Sequence, residues 1–279
     1  MSVQHAANAV PHIETFPLPS APRVRRSQVI DRQSVFSLNK SVKEKLGQDY
    51  QLKTWFGEEI QAINEETIDE LATCYMTVFN ESWGESWTHS SAKSEIRDSL
   101  RGEPGRIPLL ALLFKDNAII GFSWVLLMHK DALVKERDMP WELTDAEKDN
   151  GMAISHYWLD EVVGKDRILF VKELGALKEH RQKDTPFLTI PLFERALKLG
   201  YDVAFLWTNV YSKAFKWGLG VGLSPVHFFI TNNLLLMYGS VKGSLDSVRT
   251  VVEGSFTAQS HYPMIRNINK YLIKGEVRN

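Results

Sequence analysis

Residues 107–114 and 118–128 are two apolar runs separated only by Lys115-Asp116-Asn117. A polar break that short between two such runs predicts an antiparallel hairpin near the middle of the chain. Neither run reaches the ~18 residues of a membrane-spanning helix. The first residues show no basic start followed by an apolar block, as a secretory leader would. A cytoplasmic protein is the expectation.

The segments around the hairpin set the fold class. Residues 51–56 alternate loosely and predict a first strand. Asn64 offers a helix cap with Glu65 and Glu66 at the positive end, and Ile68, Leu71, Ala72, Tyr75 and Phe79 follow at helical spacing. A second, more polar helix is expected over 91–100. Residues 130–167 then break the pattern with ten acidic and six basic residues, plus Trp141 and Trp158. This reads as an insertion with a short helix near 144–150. Strand character returns over 167–177, and a polar loop over 178–184 leads to a helix over 187–199 that Gly200 closes. A strand over 203–207, a short helix over 212–217 and a closing pair of strands over 226–230 and 234–241 complete the order. Gly218, Gly220 and Gly222 interrupt the short helix. The order β, α, α, β, β, insertion, β, α, β, α, β, β is neither strict βαβ alternation nor all-β.

The two ends differ from this domain. Residues 1–48 contain Pro11, Pro17, Pro19 and Pro22, followed by Arg23, Arg25 and Arg26, with weak apolar periodicity. They read as a flexible arm, with a docking peptide or strap as the alternative. The domain is then expected over 49–242 with its insertion at 130–166. Residues 243–279 form a weakly patterned extension with a candidate helix over 265–273.

Composition removes several function classes. Thirty-three Lys and Arg against 34 Asp and Glu give a formal net charge of -1, unlike a dedicated nucleic-acid binder. Cys74 is the single cysteine, so an internal disulfide and a multi-Cys zinc site are excluded. Within its helix it reads as a small core residue. The eight histidines show no metal-binding spacing, and no metal is expected; His129 and His156 flank the insertion. Walker A and G-x-S-x-G motifs are missing, and Gly218-Leu219-Gly220-Val221-Gly222 lacks the spacing of a dinucleotide fingerprint.

Over roughly residues 50–241 this element order, the run at 171–177, the loop at 181–186 and Tyr211-Ser212-Lys213-Ala214 with Gly222-Leu223 together resemble the GNAT superfamily of N-acetyltransferases. The resemblance rests on the element order and on three local patterns. Val171-Lys172-Glu173-Leu174-Gly175-Ala176-Leu177 fits the family's acidic strand. Arg181-Gln182-Lys183-Asp184-Thr185-Pro186 stands where the family carries its Q/R-x-x-G-x-G/A pyrophosphate loop, with Ala196 and Gly200 near its helix-end pattern. Tyr211-Ser212-Lys213-Ala214 and Gly222-Leu223 fit its last motif. Asp184 and Pro186 replace both loop glycines. They would set a carboxylate beside the diphosphate and remove an N–H. Tyr211 replaces an Asn, and the usual general-acid Tyr falls on Gly218, beside Trp217.

The resemblance implies a mixed, mostly antiparallel α/β sheet flanked by helices. It also implies transfer of an acyl group, acetyl in the first instance, from acyl-CoA to an amine of a small molecule or peptide. Glu173 is then the general base, and the backbone of Leu174, Gly175, Ala176 and Leu177 would hold the pantetheine arm. Arg181, Gln182 and Lys183 would meet phosphate, with Thr185 capping the helix and Pro186 in its first turn. Tyr211 is the candidate donor of a proton to the departing thiolate. The acidic insertion favours a cationic acceptor. Two alternatives stay open: a catalytically weak binding module, and transfer from a carrier-protein thioester.

Overall fold

A computed structural model describes residues 32–136, 166–181, 184–209, 212–229 and 234–253. Their seven strands form one sheet. Strands β1 (Tyr50–Phe56), β2 (Arg106–Lys115), β3 (Ala118–His129) and β4 (Arg167–Ala176) lie side by side and antiparallel. Strand β5 (Val203–Asn209) joins β4 in parallel, and β7 (Leu234–Ser240) and β6 (Ser224–Phe229) complete the order β1-β2-β3-β4-β5-β7-β6. This is the mixed, mostly antiparallel sheet flanked by helices that the resemblance implies.

The helices are α1 (Arg32–Lys45), α2 (Glu65–Trp83), α3 (His89–Ser99), α4 (Lys130–Val134), α5 (Thr185–Lys198), α6 (Lys213–Gly220) and α7 (Val241–Glu253). The parallel step from β4 to β5 needs a crossover, and α5 supplies it. Asn64 caps α2 by accepting from the Thr67 N–H at 2.9 Å. The hairpin between β2 and β3 turns on Asp116 and Asn117 at φ 50° and 68°. Both lie in the left-handed region that Asn and Asp tolerate best among residues with a side chain.

Both faces of the sheet are covered. On one, Phe187, Leu188 and Phe193 of α5 and Leu245 and Val248 of α7 pack on Leu109, Val125, Leu127 and Leu169. On the other, Leu71 and Tyr75 of α2 and Ile96 of α3 pack on Leu110, Leu112, Phe122 and Trp124. That double burial is why β2 and β3 read as continuous apolar runs rather than alternating ones. Cys74 is buried within this layer, and burial pushes its thiol up to about 12. No described helix is long and apolar enough to cross a membrane.

Two ends differ from the sequence reading. Residues 32–45, inside the segment read as an arm, form α1. Its Val42 is buried in the core, and Asn39 clasps edge strand β1: its Nδ2 donates to the Leu52 carbonyl and its Oδ1 accepts from the Leu52 N–H, both at 2.9 Å. Helix α7 spans the boundary drawn at residue 242, and the stretch that read as weakly patterned buries Val241, Leu245 and Val248 at helical spacing. The expected helices near 144–150 and over 265–273 lie outside the described residues.

Candidate active site

One extra residue in β4 decides where the site forms. Trp124 of β3 stands opposite Glu173, but Val125 stands opposite Val171, so Lys172 is an inserted bulge. Before it, Ile168 and Phe170 share a face with Leu126 and Met128, while Leu169 and Val171 face α5. Strict alternation would send Glu173 to the α5 face as well. The bulge resets the phase, as a one-residue shift in a strand must. Glu173 therefore lies beside Trp124, on the face covered by α2 and α3, where the Tyr75 hydroxyl donates to its Oε1 at 3.4 Å.

The surroundings of that carboxyl are aromatic and acidic. Tyr75 stacks on Trp124 with ring centroids 5.6 Å apart, and Phe79, Trp87 and Phe122 close round the Tyr75 ring. Desolvation is the largest influence on Glu173. Glu95 and Glu85 add to it, Lys172 and the Tyr75 hydroxyl oppose it, and its pKa is pushed up to about 8. Burial and the same acidic neighbours hold the Tyr75 phenol above its ordinary value. The buried Trp124 indole Nε1–H has no hydrogen-bond partner among the described residues.

Beside this carboxyl lies a buried ion cluster. The Lys172 ammonium is 2.9 Å from Glu136 Oε1 and 4.0 Å from Glu95 Oε1. Arg106 grips Glu136, with Nε 3.0 Å from Oε2 and Nη2 3.5 Å from Oε1, and donates to the carbonyls of Ser99 and Arg101. Burial works against the Glu136 carboxylate, but Lys172 and Arg106 outweigh it and hold its pKa below the ordinary value.

The other edge of β4 opens. Pairing with β5 covers only Ile168, Leu169 and Phe170, while β4 continues to Ala176 and β5 to Asn209. The Leu177 N–H donates to the Ile120 carbonyl at 2.9 Å, so residues 173, 175 and 177 turn their peptide groups towards β3. Leu174 and Ala176 turn theirs to the edge that β5 has left. The sequence grouped all four residues 174–177 as cofactor-holding; the structure brings two of them to the opening. Gly175 is instead a packing requirement, since an added Cβ would sit 2.5 Å from Phe122 Cζ.

The loop before α5 is arranged differently from the sequence expectation. Asp184, not Thr185, stands at the helix N-cap position, without a side-chain capping bond. The Thr185 hydroxyl donates to the Arg181 carbonyl. The Asp184 carboxylate is buried, with Oδ2 2.7 Å from His180 Nδ1, and Tyr50 Oη lies 3.4 Å from that same nitrogen. Arg181 donates from Nε to the Ala176 carbonyl at 3.0 Å, with Nη2 3.7 Å from Glu81. Its guanidinium thus closes the end of β4. Asp184→Gly is expected to leave His180 Nδ1 with only the longer Tyr50 contact and to cost about 1–3 kcal/mol. Urea melts check this, and unchanged stability would mean that the His180 contact contributes nothing.

Gln182, Lys183, Tyr211 and His156 lie outside the described residues, as do Asp160 and Glu161 of the insertion, the carboxylates next in line to Glu173 as candidate base. His129 is exposed at the end of β3. Sequence reasoning passed over Tyr75, Glu95, Arg106, Trp124, Glu136 and Lys172. Tyr75 carried a helical-spacing signal but read as core; nothing local marked the others.

No family model matches the chain, and no curated protein matches it. Solved structures do. FeeM, an N-acyl amino acid synthase from uncultured soil microbes, is 14% identical over 70% of this chain and 93% of its own, with a TM-score of 0.46. The paiA N-acetyltransferase of Thermoplasma acidophilum, in complex with coenzyme A, is 11% identical over 68% and 99%, with a TM-score of 0.43. Arylalkylamine N-acetyltransferase 2 of Aedes aegypti is 13% identical over 69% and 99%, also with a TM-score of 0.43.

Proposed function

We propose that this chain transfers an acyl group, acetyl in the first instance, from acyl-CoA to the amine of a small molecule or peptide, with Glu173 as general base. The observation that carries the reading is the parting of β4 from β5 beside the bulge. It leaves Leu174 and the Ala176 N–H facing an edge that β5 does not cover, next to a carboxyl whose pKa lies near 8. Free strand-edge groups suit the amides of a pantetheine arm, and an N–H there suits the developing thioester oxyanion. Glu173 takes a proton from the acceptor ammonium. The freed amine nitrogen bonds to the thioester carbonyl carbon, the C–S bond breaks, the thiolate leaves with a proton from a donor that we assign to Tyr211, and the second proton left on nitrogen restores that donor. Glu85 and Glu95 around Glu173 favour a cationic acceptor.

The loop before α5 favours a second donor. Asp184 is committed to His180, Arg181 to Ala176, and Pro186 has no N–H, so few groups remain for a diphosphate. Gln182 and Lys183 are the proposed phosphate contacts under the first reading. A carrier-protein thioester needs none.

Thiol release with a panel of amines tests both, using acetyl-CoA, longer acyl-CoAs and acyl-pantetheine as donors. The first reading expects acyl-CoA to be preferred, with salt-sensitive binding in calorimetry. Equal use of acyl-pantetheine would favour the carrier-protein donor. No release from any donor across the panel would overturn both and leave a binding module.

A further inference from the structure

We propose that Lys172 is the positioning residue for Glu173: clamped between Glu136 and Glu95, its ammonium holds the bulge that turns the Glu173 carboxyl onto the Tyr75 face. This rests on Glu173 as the base. The Lys172 side chain is only 8% exposed, and a buried ammonium persists only when it is paired. Its two partners come from different parts of the fold. Glu136 follows α4 and is fixed by Arg106 of β2. Glu95 belongs to α3, where the Ser99 hydroxyl donates to its Oε1 at 2.7 Å. An unpaired extra residue in a central strand costs ladder pairing, and it persists where the surroundings over-determine it. Here the surroundings are two carboxylates that reach the bulged residue.

The same clamp sets the charge around the base. The groups facing Glu173 are Lys172 on its own strand, Tyr75 on α2, Glu85 after α2 and Glu95 on α3; Lys172 is the cation among them. A role limited to anchoring the segment after α4 would affect stability, and rates in proportion, without moving the titration of Glu173.

The test uses the full chain with Lys172→Met, Lys172→Arg and Glu95→Gln. Carboxyl ¹³C titration of labelled Glu173, assigned by its loss in Glu173→Gln, reads the base without any reaction. The pH profile of thiol release reads it in turnover. Lys172→Met is expected to move the midpoint up by about one pH unit and to lower release at neutral pH roughly tenfold, mostly in kcat. Lys172→Arg should restore most of this, and Glu95→Gln should move the midpoint down. Midpoints unchanged in all three variants, with rates falling in parallel, would overturn the proposal. If Lys172→Met does not fold, a Glu95→Gln midpoint that fails to drop overturns it instead. Shifted carboxyl titrations in a protein that releases no thiol would support the clamp and overturn the base reading.

Discussion

Glu173→Gln is expected to lower thiol release at saturating acceptor by roughly 10²–10⁴-fold, the usual worth of a general base. Donor binding should hold, because the amide keeps the shape of the side chain and the strand-edge groups of Leu174 and Ala176 are untouched. The wild-type rate should rise through a limb near pH 8, where the carboxyl loses its proton. In the variant only the limb of the amine remains. Stability gives an independent check. The unfolded chain releases this proton near 4.5 and the folded protein near 8. Between those values the folded state binds more protons, so wild-type stability falls as pH rises. The variant cannot ionise, and its advantage over wild type should grow from pH 4.5 to 8 and then level. Calorimetric melts across that range check it; a constant difference, together with full activity, would reassign the base, with Asp160 or Glu161 next in line.

Arg106→Met should give the largest loss of stability of any variant considered. Arg106 serves Glu136 and two carbonyls from a side chain that is 9% exposed. Removing one partner of a buried pair leaves an uncompensated charge and costs about 3–5 kcal/mol. For a protein of this size that lowers Tm by on the order of 10 °C. Lys172 softens the loss by staying with Glu136. A shift of a degree or two would mean that water reaches the cluster and screens it.

The parts legible in the sequence were those with a local cause. Continuous apolar runs marked β2 and β3, and Asn64 before two glutamates marked the start of α2. The alternation of β1 and the small-residue stretch of β4 were equally local. Glu173 was singled out by its place in the strand pattern, but the face it lies on was not legible. The face depends on Lys172 being skipped in the pairing with β3, and that follows from charges on α3 and after α4 that no local window contains. Tyr75 shows the same limit: its spacing reads as core because its ring is core, while its hydroxyl reaches Glu173. Asp184 read as a charge facing a ligand. It is buried because His180, four residues earlier, takes it.

The clasp of Asn39 on Leu52 bears on how the chain keeps to itself. β1 ends the sheet, and an open rim of peptide groups is a template for another chain to add a strand. A side-chain amide carries the same donor and acceptor as a peptide, so Asn39 occupies one place on that rim as a neighbouring strand would. It does so from a helix, which offers no further strand edge of its own. Growth of the sheet by addition of copies is thereby blocked on this side. A chain trimmed to Tyr50 would keep the candidate site residues but lose Asn39, and with it the cover over Leu52.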